Sequence, residues 1–282
     1  MKHKRLFLFA GYDKSGVIDP ALIHYTKSLS EHGDIVLVMD CDCSDSELEK
    51  LAPYCLYTSG IRHGEYDFGS YKRAYTWAAQ NLTLSEYEYV YLVNDSVYGP
   101  LYDIASYLEK MESLGCDAFG LVANPHKHHP HIQSWFIGTC CTVFLSDWFD
   151  TFMRSITKLK SKGEITSRYE QGFSKGIIEH NLTWQCLYTM AGRGVYNKVK
   201  KLYKNKMPFL KRVAFSRNHG ALGGQLLYIL NHIPDETRIA ILASATRIYG
   251  MKYIDNLFTR NPVKIFIRRL HHALYKLFIE GI

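Results

Sequence analysis

Short apolar runs and longer stretches of helical spacing alternate along the first two thirds of the chain. Strands are predicted at residues 5–10, 35–39 and 89–93 and near residues 54–57, and helices at residues 20–32 and 70–80. The run from Tyr89 to Val93 lacks polar alternation and is too short for a helix, which is typical of a strand buried on both faces of a parallel sheet. This order predicts an α/β fold with a mostly parallel central sheet.

The pattern continues past residue 100 and then changes. We expect a helix at residues 101–111, a strand at 117–122, a strand pair or bent strand at 132–145, a helix at 147–159 and a helix over 167–181 that bends near Gly172. Beyond Asn197 the alternation stops and the sequence becomes mainly helical and basic. We therefore expect an α/β domain at residues 1–195 and a basic, helical C-terminal region at residues 196–282.

Composition narrows the class of protein. A chain of 282 residues with 47% hydrophobic residues can bury a full-sized core. Its seven cysteines are an odd number with no CxxC pair, so neither a disulfide framework nor a zinc site is predicted, and a reducing compartment is indicated. The first apolar run, Leu6–Ala10, is too short for a signal peptide, and no stretch approaches the ~18 apolar residues of a membrane span.

The net charge of +7 is divided unevenly. Residues 180–234 contain nine Lys or Arg and no Asp or Glu, and residues 252–282 add six basic against two acidic residues. Residues 1–179 are consequently acidic overall. An acidic first part would repel phosphate, and no nucleic-acid-binding motif is present, so a nucleic acid is not expected as a partner.

Four groups of polar residues follow the predicted strands. They are Asp40 and Asp42 after the second strand, Asp67, Gly69, Lys72 and Arg73 near the next helix, Asn94 and Asp95 after the central strand, and Glu170 on a later helix. Ligands of open α/β sheets bind at the carboxyl ends of the strands, where acidic side chains bond ribose hydroxyls. A helix N-terminus with nearby cations suits a diphosphate. Ordinary roles in turns, caps or a solvated helix face stay open for each residue.

Four segments, YDFGSYK, YLVNDSVYGPL, HIQSWF and YEQGFS, occur in an order that resembles the rhamnan synthesis protein F family of bacterial polysaccharide assembly. Over residues 5–190 the chain is also similar to the nucleotide-sugar domain of GT-A glycosyltransferases, a Rossmann-like fold. The resemblance implies transfer of a sugar, most simply rhamnose from its dTDP or GDP form, to a lipid-linked glycan precursor. The reaction would then take place in the cytoplasm, on the inner face of the cell membrane.

This resemblance also implies roles for individual residues. GT-A enzymes usually hold Mg²⁺ or Mn²⁺ with an Asp-x-Asp motif, whereas this chain has Asn94-Asp95-Ser96, with one carboxylate. Asp95 would hold a divalent cation, with His219 as a possible second ligand, or Lys72 and Arg73 would neutralise the diphosphate instead. Both alternatives stay open.

The acceptor side of the reaction needs a base to remove a hydroxyl proton. By analogy with inverting GT-A enzymes that base would be Glu170, with Asp147 and Asp150 in reserve. His131, Gln133 and Trp135 would contact the acceptor, although an ordinary core position is equally open for Trp135. We interpret His126, His128, His129 and His131 as part of a mobile polar loop over the acceptor site rather than as a metal site.

The C-terminal stretch has the pattern of a basic amphipathic helix. Its apolar positions are Ile265, Ile267, Leu270, Ala273, Leu274, Leu277 and Phe278, and its basic positions are Lys264, Arg268, Arg269 and Lys276. Such a helix suits an anionic membrane surface, or else it docks on the protein's own core. Two rival functions stay open: the same fold with another donor, such as a galactofuranosyl nucleotide, or a catalytically silent member that binds glycan or membrane.

Overall fold

A computed structural model describes residues 4–191, 194–217 and 222–279, with side chains up to residue 270. The chain divides into two compact units. Unit 1 consists of Met1–Ile18, Tyr25–Asp95 and Asp103–Gly192, and unit 2 consists of Asp19–His24, Ser96–Tyr102 and Arg193–Ile282. Two short segments from the first hundred residues thus belong to unit 2. The expected domain boundary at residue 195 stays a prediction.

Strands and helices alternate through unit 1, and helices dominate unit 2. The strands are β1 (Arg5–Gly11), β2 (Asp34–Met39), β3 (Tyr57–Gly60), β4 (Tyr89–Asn94), β5 (Val97–Tyr98), β6 (Ala118–Asn124), β7 (His131–Ile132), β8 (Phe136–Cys140), β9 (Trp184–Thr189) and β10 (Leu210–Lys211). The helices are α1 (Pro20–Ser30), α2 (Asp45–Leu48), α3 (Tyr66–Asn81), α4 (Ala105–Glu112), α5 (Cys141–Phe144), α6 (Asp147–Arg154), α7 (Lys162–Ile165), α8 (Gly172–Glu179), α9 (Gly194–Asn197), α10 (Val199–Lys204), α11 (Leu222–Leu230), α12 (Asp235–Tyr249), α13 (Met251–Leu257) and α14 (Pro262–Ile279). A π-helical turn, Thr166–Gln171, joins α7 to α8.

Within the described residues, unit 1 contains one eight-stranded sheet in the order β3-β2-β1-β4-β8-β6-β7, with β9 paired to β6. The pairs β3-β2, β2-β1, β1-β4 and β6-β9 are parallel, and β8 and β7 run antiparallel to their neighbours. The predicted α/β class with a mostly parallel central sheet is confirmed.

The centre of this sheet is buried because its strands are apolar on both faces. Every residue of β1 is buried, and so are the last five residues of β4, from Val90 to Asn94. Helix α3 packs on one face through Phe68, Tyr71, Ala74 and Ala78. Each large apolar side chain buried in this way stabilises the fold by about 1.5–3 kcal/mol, which fixes the strand ends that carry the polar residues.

A buried ion pair lies at the start of β1. Arg5 donates from Nε to Glu112 Oε1 at 2.6 Å and from its terminal nitrogen to Oε2 at 2.7 Å, and the Tyr91 hydroxyl donates to Oε1 at 2.6 Å. The hydrogen bonds to Glu112 raise the pKa of Arg5 despite its burial. Sequence analysis did not single out either partner of this pair.

Unit 2 has its own apolar core, built around Tyr98, Phe215, Leu226, Ile241 and Leu257. A buried carboxylate, Asp19, caps the first turn of α1 through the N–H groups of Ala21 and Leu22. The same side chain accepts hydrogen bonds from Arg212, Ser244 and Arg247. None of the described helices has the length and apolar character that a membrane span requires.

Several element boundaries differ from the predicted ones. Strand β3 lies at Tyr57–Gly60 rather than near residues 54–57, and α3 begins at Tyr66 rather than Ser70. The segment predicted as a strand pair, residues 132–145, contains two short strands but ends in the helix α5. Strand β9 was not predicted, because its side chains are half-buried or exposed and show no continuous apolar run.

Candidate functional site

Asp95 follows β4 directly, at the carboxyl end of the paired strands β1 and β4. Its backbone N–H donates to Ala10 O at 3.1 Å, and its Oδ2 accepts a hydrogen bond from Tyr12 N at 3.3 Å. The side chain is buried, with 8% of its surface exposed. The predicted position of Asp95 at the edge of a central strand is therefore confirmed, while its chemical role stays a prediction.

Asp40 binds the loop that precedes α3. Its Oδ1 accepts from the N–H groups of His63 at 2.8 Å and Gly64 at 2.7 Å, and its Oδ2 accepts from Tyr66 N at 3.1 Å. Tyr66 has φ 59°, a left-handed conformation that costs a bulky residue about 1–2 kcal/mol. The Asp40 carboxylate thus holds a strained turn, a role that favours the capping alternative. Asp42 is exposed and accepts only one described backbone bond, from Arg62 N.

Asp67 and Gly69, which were predicted to precede the helix that carries Lys72 and Arg73, lie within α3 together with these two cations. Gly69 is part of the first turns, where any side chain would overlap Glu65 and the His63 ring. Lys72 donates to Ile156 O at 2.7 Å, and Arg73 forms an ion pair with Glu65 at 2.5 Å. Both cations consequently have internal partners, which they would exchange in order to bind a diphosphate.

A chain of hydrogen bonds connects α3 with the end of β4 and the turn between β7 and β8. Asn94 donates from its side chain to Asp67 Oδ2 at 3.0 Å and from its backbone to Trp135 O at 3.3 Å. Trp135 is buried, and its indole N–H donates to Gln133 Oε1 at 2.9 Å. These contacts favour a core position for the indole; an acceptor-binding role stays a prediction.

Glu170 lies in the π-helical turn and points its carboxylate at the β7–β8 region. Its Oε2 accepts from Ser134 Oγ at 2.8 Å, and its Oε1 lies 3.3 Å from His131 Nε2. The Ser134 carbonyl in turn accepts from the Tyr71 hydroxyl of α3 at 2.9 Å. The π-helical turn itself is notable, because such turns are rare and are frequently found at functional sites.

The pKa of His131 is raised above its ordinary value. Burial lowers it, but the hydrogen bonds to Glu170 and to the His129 carbonyl outweigh burial. The imidazole is 2% exposed, and its Nδ1 lies 2.7 Å from His129 O. Acceptors therefore face both ring nitrogens.

Unit 1 thus brings six of the predicted site residues into one network of hydrogen bonds and adjoining residues. Asp67, Asn94, Gln133, Trp135, His131 and Glu170 are joined through Tyr71 and Ser134. Tyr71 and Ser134 were missed, because a tyrosine at helical spacing and a single serine in a loop carry no signal of their own. The reserve residue Asp150 is not in this network; it pairs with Arg154, whose hydrogen bonds lower the pKa of Asp150.

The metal prediction finds no complete set of ligands. Among the described residues, no group of three or more His, Cys, Asp or Glu is placed to hold a metal ion. His219 lies outside the described residues. The rings of His126, His128 and His129 lie 5.7–6.5 Å apart in an exposed loop. By themselves, the described residues around Asp95 therefore do not form a complete metal site.

A family model described as rhamnan synthesis protein F matches residues 35–265. The chain belongs to the rhamnan synthesis protein F family. That span contains all four segments on which the sequence resemblance was based. Membership of the rhamnan synthesis protein F family supports a glycosyltransferase-like function in polysaccharide synthesis. No curated protein matches the chain at a significant level.

Solved structures with a similar fold include glycosyltransferases. The mannosyltransferase Ktr4p of S. cerevisiae is 10% identical, with 54% of this chain and 60% of that chain covered and a TM-score of 0.35. Core-mannan synthase A of Aspergillus fumigatus, in its Mn/GDP form, is 10% identical over 63% and 70% of the two chains, with a TM-score of 0.36. S. aureus TarS 1–349 is 12% identical over 91% and 90%, with a TM-score of 0.35. This chain therefore spans less than two thirds of the Ktr4p chain in that structure. TM-scores this low indicate nothing about the donor or acceptor of this chain.

Proposed function

We propose that this chain is a glycosyltransferase that moves rhamnose from a dTDP or GDP donor to a lipid-linked polysaccharide precursor. In this reaction, a bond forms between an acceptor oxygen and the anomeric carbon, and the bond from that carbon to the diphosphate breaks. The acceptor's proton passes to Glu170, and the nucleoside diphosphate leaves beside Asp95. A galactofuranosyl nucleotide would fit the same scheme.

One observation carries the proposal: Asp95 and Glu170, the two residues assigned to the reaction, are linked within unit 1 by a short path of hydrogen bonds and adjoining residues. The Ser134-Trp135 dipeptide lies between them, because Ser134 Oγ donates to Glu170 and Trp135 O accepts from the residue before Asp95. Such a connection fixes the distance between a base and a leaving-group site, as transfer between two bound substrates requires.

Remaining assignments belong to the same proposal. Asp40 and Asp42 would face the nucleoside, while Asp67, Gly69, Lys72, Arg73 and Asn94 would surround the diphosphate. His131, Gln133 and Trp135 would support the acceptor side. Asp95 would be the residue that holds a divalent cation, which would neutralise the charge of the diphosphate, and thermal unfolding with and without Mn²⁺ tests this role.

Nucleotide binding is tested by thermal unfolding with UDP, GDP, dTDP and their sugars, each with and without Mn²⁺. A ligand at a hundred times its Kd stabilises the folded state by about 2.7 kcal/mol, which raises the Tm by several degrees. We expect one base to be preferred. Equal, negligible shifts with every nucleotide would contradict the donor assignment and favour a silent binding protein.

Catalysis is tested with Asp95→Asn and Glu170→Gln, measuring nucleoside diphosphate release from the donor that binds. Loss of a general base lowers the rate by about 10²–10⁴-fold. Glu179→Gln is the matched control for Glu170, since Glu179 is an exposed residue of α8 paired with Lys175. Full activity in both Asp95→Asn and Glu170→Gln would overturn the site assignment.

We also propose that unit 2 binds an anionic membrane surface through α14. Val263, Phe266, Ile267 and Leu270 are all at least half exposed, and Lys264 and Arg269 are exposed beside them. Apolar side chains with adjacent cations fit the interface of an anionic bilayer. The inner face of the cell membrane, where lipid-linked precursors would be met, provides such a surface.

Vesicle sedimentation tests this membrane proposal. Replacing Lys264 and Arg269 by Gln should weaken binding to phosphatidylglycerol-rich vesicles about 30-fold, at about 1 kcal/mol per cation. The control exchanges two exposed lysines of unit 1, Lys162 and Lys175. Equal binding by the two double variants, or equal binding to uncharged phosphatidylcholine vesicles, would exclude this role of α14.

A further inference from the structure

His131 and Glu170, for which sequence analysis predicted separate roles, are in contact in the structure. His131 lies on β7, and Glu170 lies in the π-helical turn about forty residues later in the chain. Nε2 and Oε1 are 3.3 Å apart, and the side chains are 3% and 19% exposed. A pair this well shielded from water interacts more strongly than a pair on the surface.

The positions of two hydrogen-bond acceptors favour one protonation state of the imidazole. Nδ1 faces the His129 carbonyl at 2.7 Å, and Nε2 faces Glu170 Oε1. A neutral imidazole has one N–H and can donate to only one of these acceptors, whereas the imidazolium donates to both. The arrangement therefore suits an imidazolium paired with a carboxylate.

Among the described residues that contact His131, Glu170 is the charged partner of the imidazole. Strand β6 pairs Asn124 with His131, and Ser174 of α8 accepts the N–H of the next residue, Ile132. Both are uncharged. The preceding loop adds exposed Lys127 together with His126, His128 and His129, of which His129 contacts the ring through its carbonyl.

The carboxylate is held from two sides. Ser134 Oγ donates a hydrogen bond to Oε2, and His131 Nε2 lies against Oε1. The Ser134 carbonyl in turn accepts a hydrogen bond from the Tyr71 hydroxyl. A carboxylate has about four lone-pair positions, so two remain for the proton of an acceptor hydroxyl. The donors thus orient the group without consuming its capacity as a base.

We propose that His131 is a positioning residue for the catalytic base: its imidazolium, together with Ser134, holds the Glu170 carboxylate oriented toward the acceptor hydroxyl. This inference rests on the proposed role of Glu170. It replaces direct acceptor contact as the main role of His131, which is too deeply buried to present much surface to a glycan.

The first test observes the pair directly in the full chain, without substrate. Imidazole ¹⁵N NMR should show His131 protonated on both nitrogens at neutral pH and titrating above an ordinary histidine. In Glu170→Gln this titration should move to lower pH, while in Glu179→Gln it should stay in place. A neutral His131 in the unchanged chain would refute the inference.

The second test separates positioning from simple structural support. With donor hydrolysis as the assay, water replaces the acceptor and nucleoside diphosphate is the measured product. In His131→Gln, which keeps a hydrogen-bond donor but loses the charge, we expect kcat to fall about tenfold or more near pH 6 and about threefold or less near pH 8.5.

His180→Gln is the matched control, because His180 is exposed and bonds the Gly176 carbonyl in the same region of the fold. A uniform loss at every pH in His131→Gln would assign His131 a structural role and overturn the proposal. Failure of the underlying function has a different signature, since Glu170→Gln would then hydrolyse the donor as fast as the unchanged chain.

Discussion

Replacing Glu112 by Gln tests how much the buried ion pair with Arg5 stabilises the fold, at a position away from the carboxyl ends of the strands. The change preserves the size of the side chain and removes its charge. Arg5, which is 5% exposed, then loses its counter-charge, and an amide N–H₂ group replaces one of the two oxygens that it binds. The Tyr91 hydroxyl competes for the single remaining carbonyl oxygen.

Three hydrogen bonds, two of them from a buried guanidinium, set the size of this effect. Removing one partner of a buried ion pair costs about 3–5 kcal/mol, because the other charge stays buried without compensation. Since the free energy of unfolding of a domain is about 5–15 kcal/mol, the variant should lose roughly a fifth or more of its stability. Urea unfolding followed by fluorescence measures this loss through the midpoint, with an unchanged m-value.

The control is Glu179→Gln, which breaks an exposed pair with Lys175 and should cost about 0–1 kcal/mol. The combined replacement Arg5→Met, Glu112→Leu and Tyr91→Phe should recover most of the lost stability, because an apolar set of similar volume is as good as a buried ion pair. A loss below about 1 kcal/mol in Glu112→Gln would refute the reasoning, since the pair would then be hydrated or readily rearranged.

Two further predictions concern the site. Asp40→Asn should destabilise the protein by about 1–3 kcal/mol in urea unfolding, because an amide N–H₂ group would face at least one of the three backbone N–H groups that donate to the carboxylate. Asp42→Asn, at an exposed position with one such bond, should cost clearly less. For His131→Gln, the folded pKa of the replaced histidine lies above its unfolded value, so its contribution to stability is fully present below about pH 6.5 and is lost as pH rises through the folded value. The difference in unfolding free energy between this variant and the unchanged chain should therefore be larger near pH 5.5 than near pH 9, and a difference independent of pH would contradict the charged pair.

The sheet could be predicted from sequence where burial on both faces leaves a continuous apolar run. Strands β1, β2 and β4 were found within about one residue, since each has such a run bounded by polar or turn residues. Strand β9 was missed for the opposite reason: its residues are half-buried or exposed without a regular alternation, and its pairing with β6 makes it a strand. Tertiary context therefore decided the edge of the sheet.

Helix starts were harder to predict than strand centres. The residues before Ser70 include Gly64 and Gly69, which by propensity favour a loop, yet the structure begins α3 at Tyr66. The long-range bonds from Asp40 hold the backbone of this turn, including the left-handed Tyr66. Local propensity does not contain that information, because Asp40 follows β2, more than twenty residues earlier in the chain.

For the candidate site, the sequence could locate residue types but not their pairing. The acidic residues at strand ends were recognisable because the ends of parallel strands share one edge of the sheet. The contact of His131 with Glu170 depends instead on two further features, the antiparallel return of β7 beside β6 and the extra residue of a π-helical turn. Neither feature has a periodic signature in the sequence. The contact through which His131 would orient the base therefore becomes visible only in the folded structure.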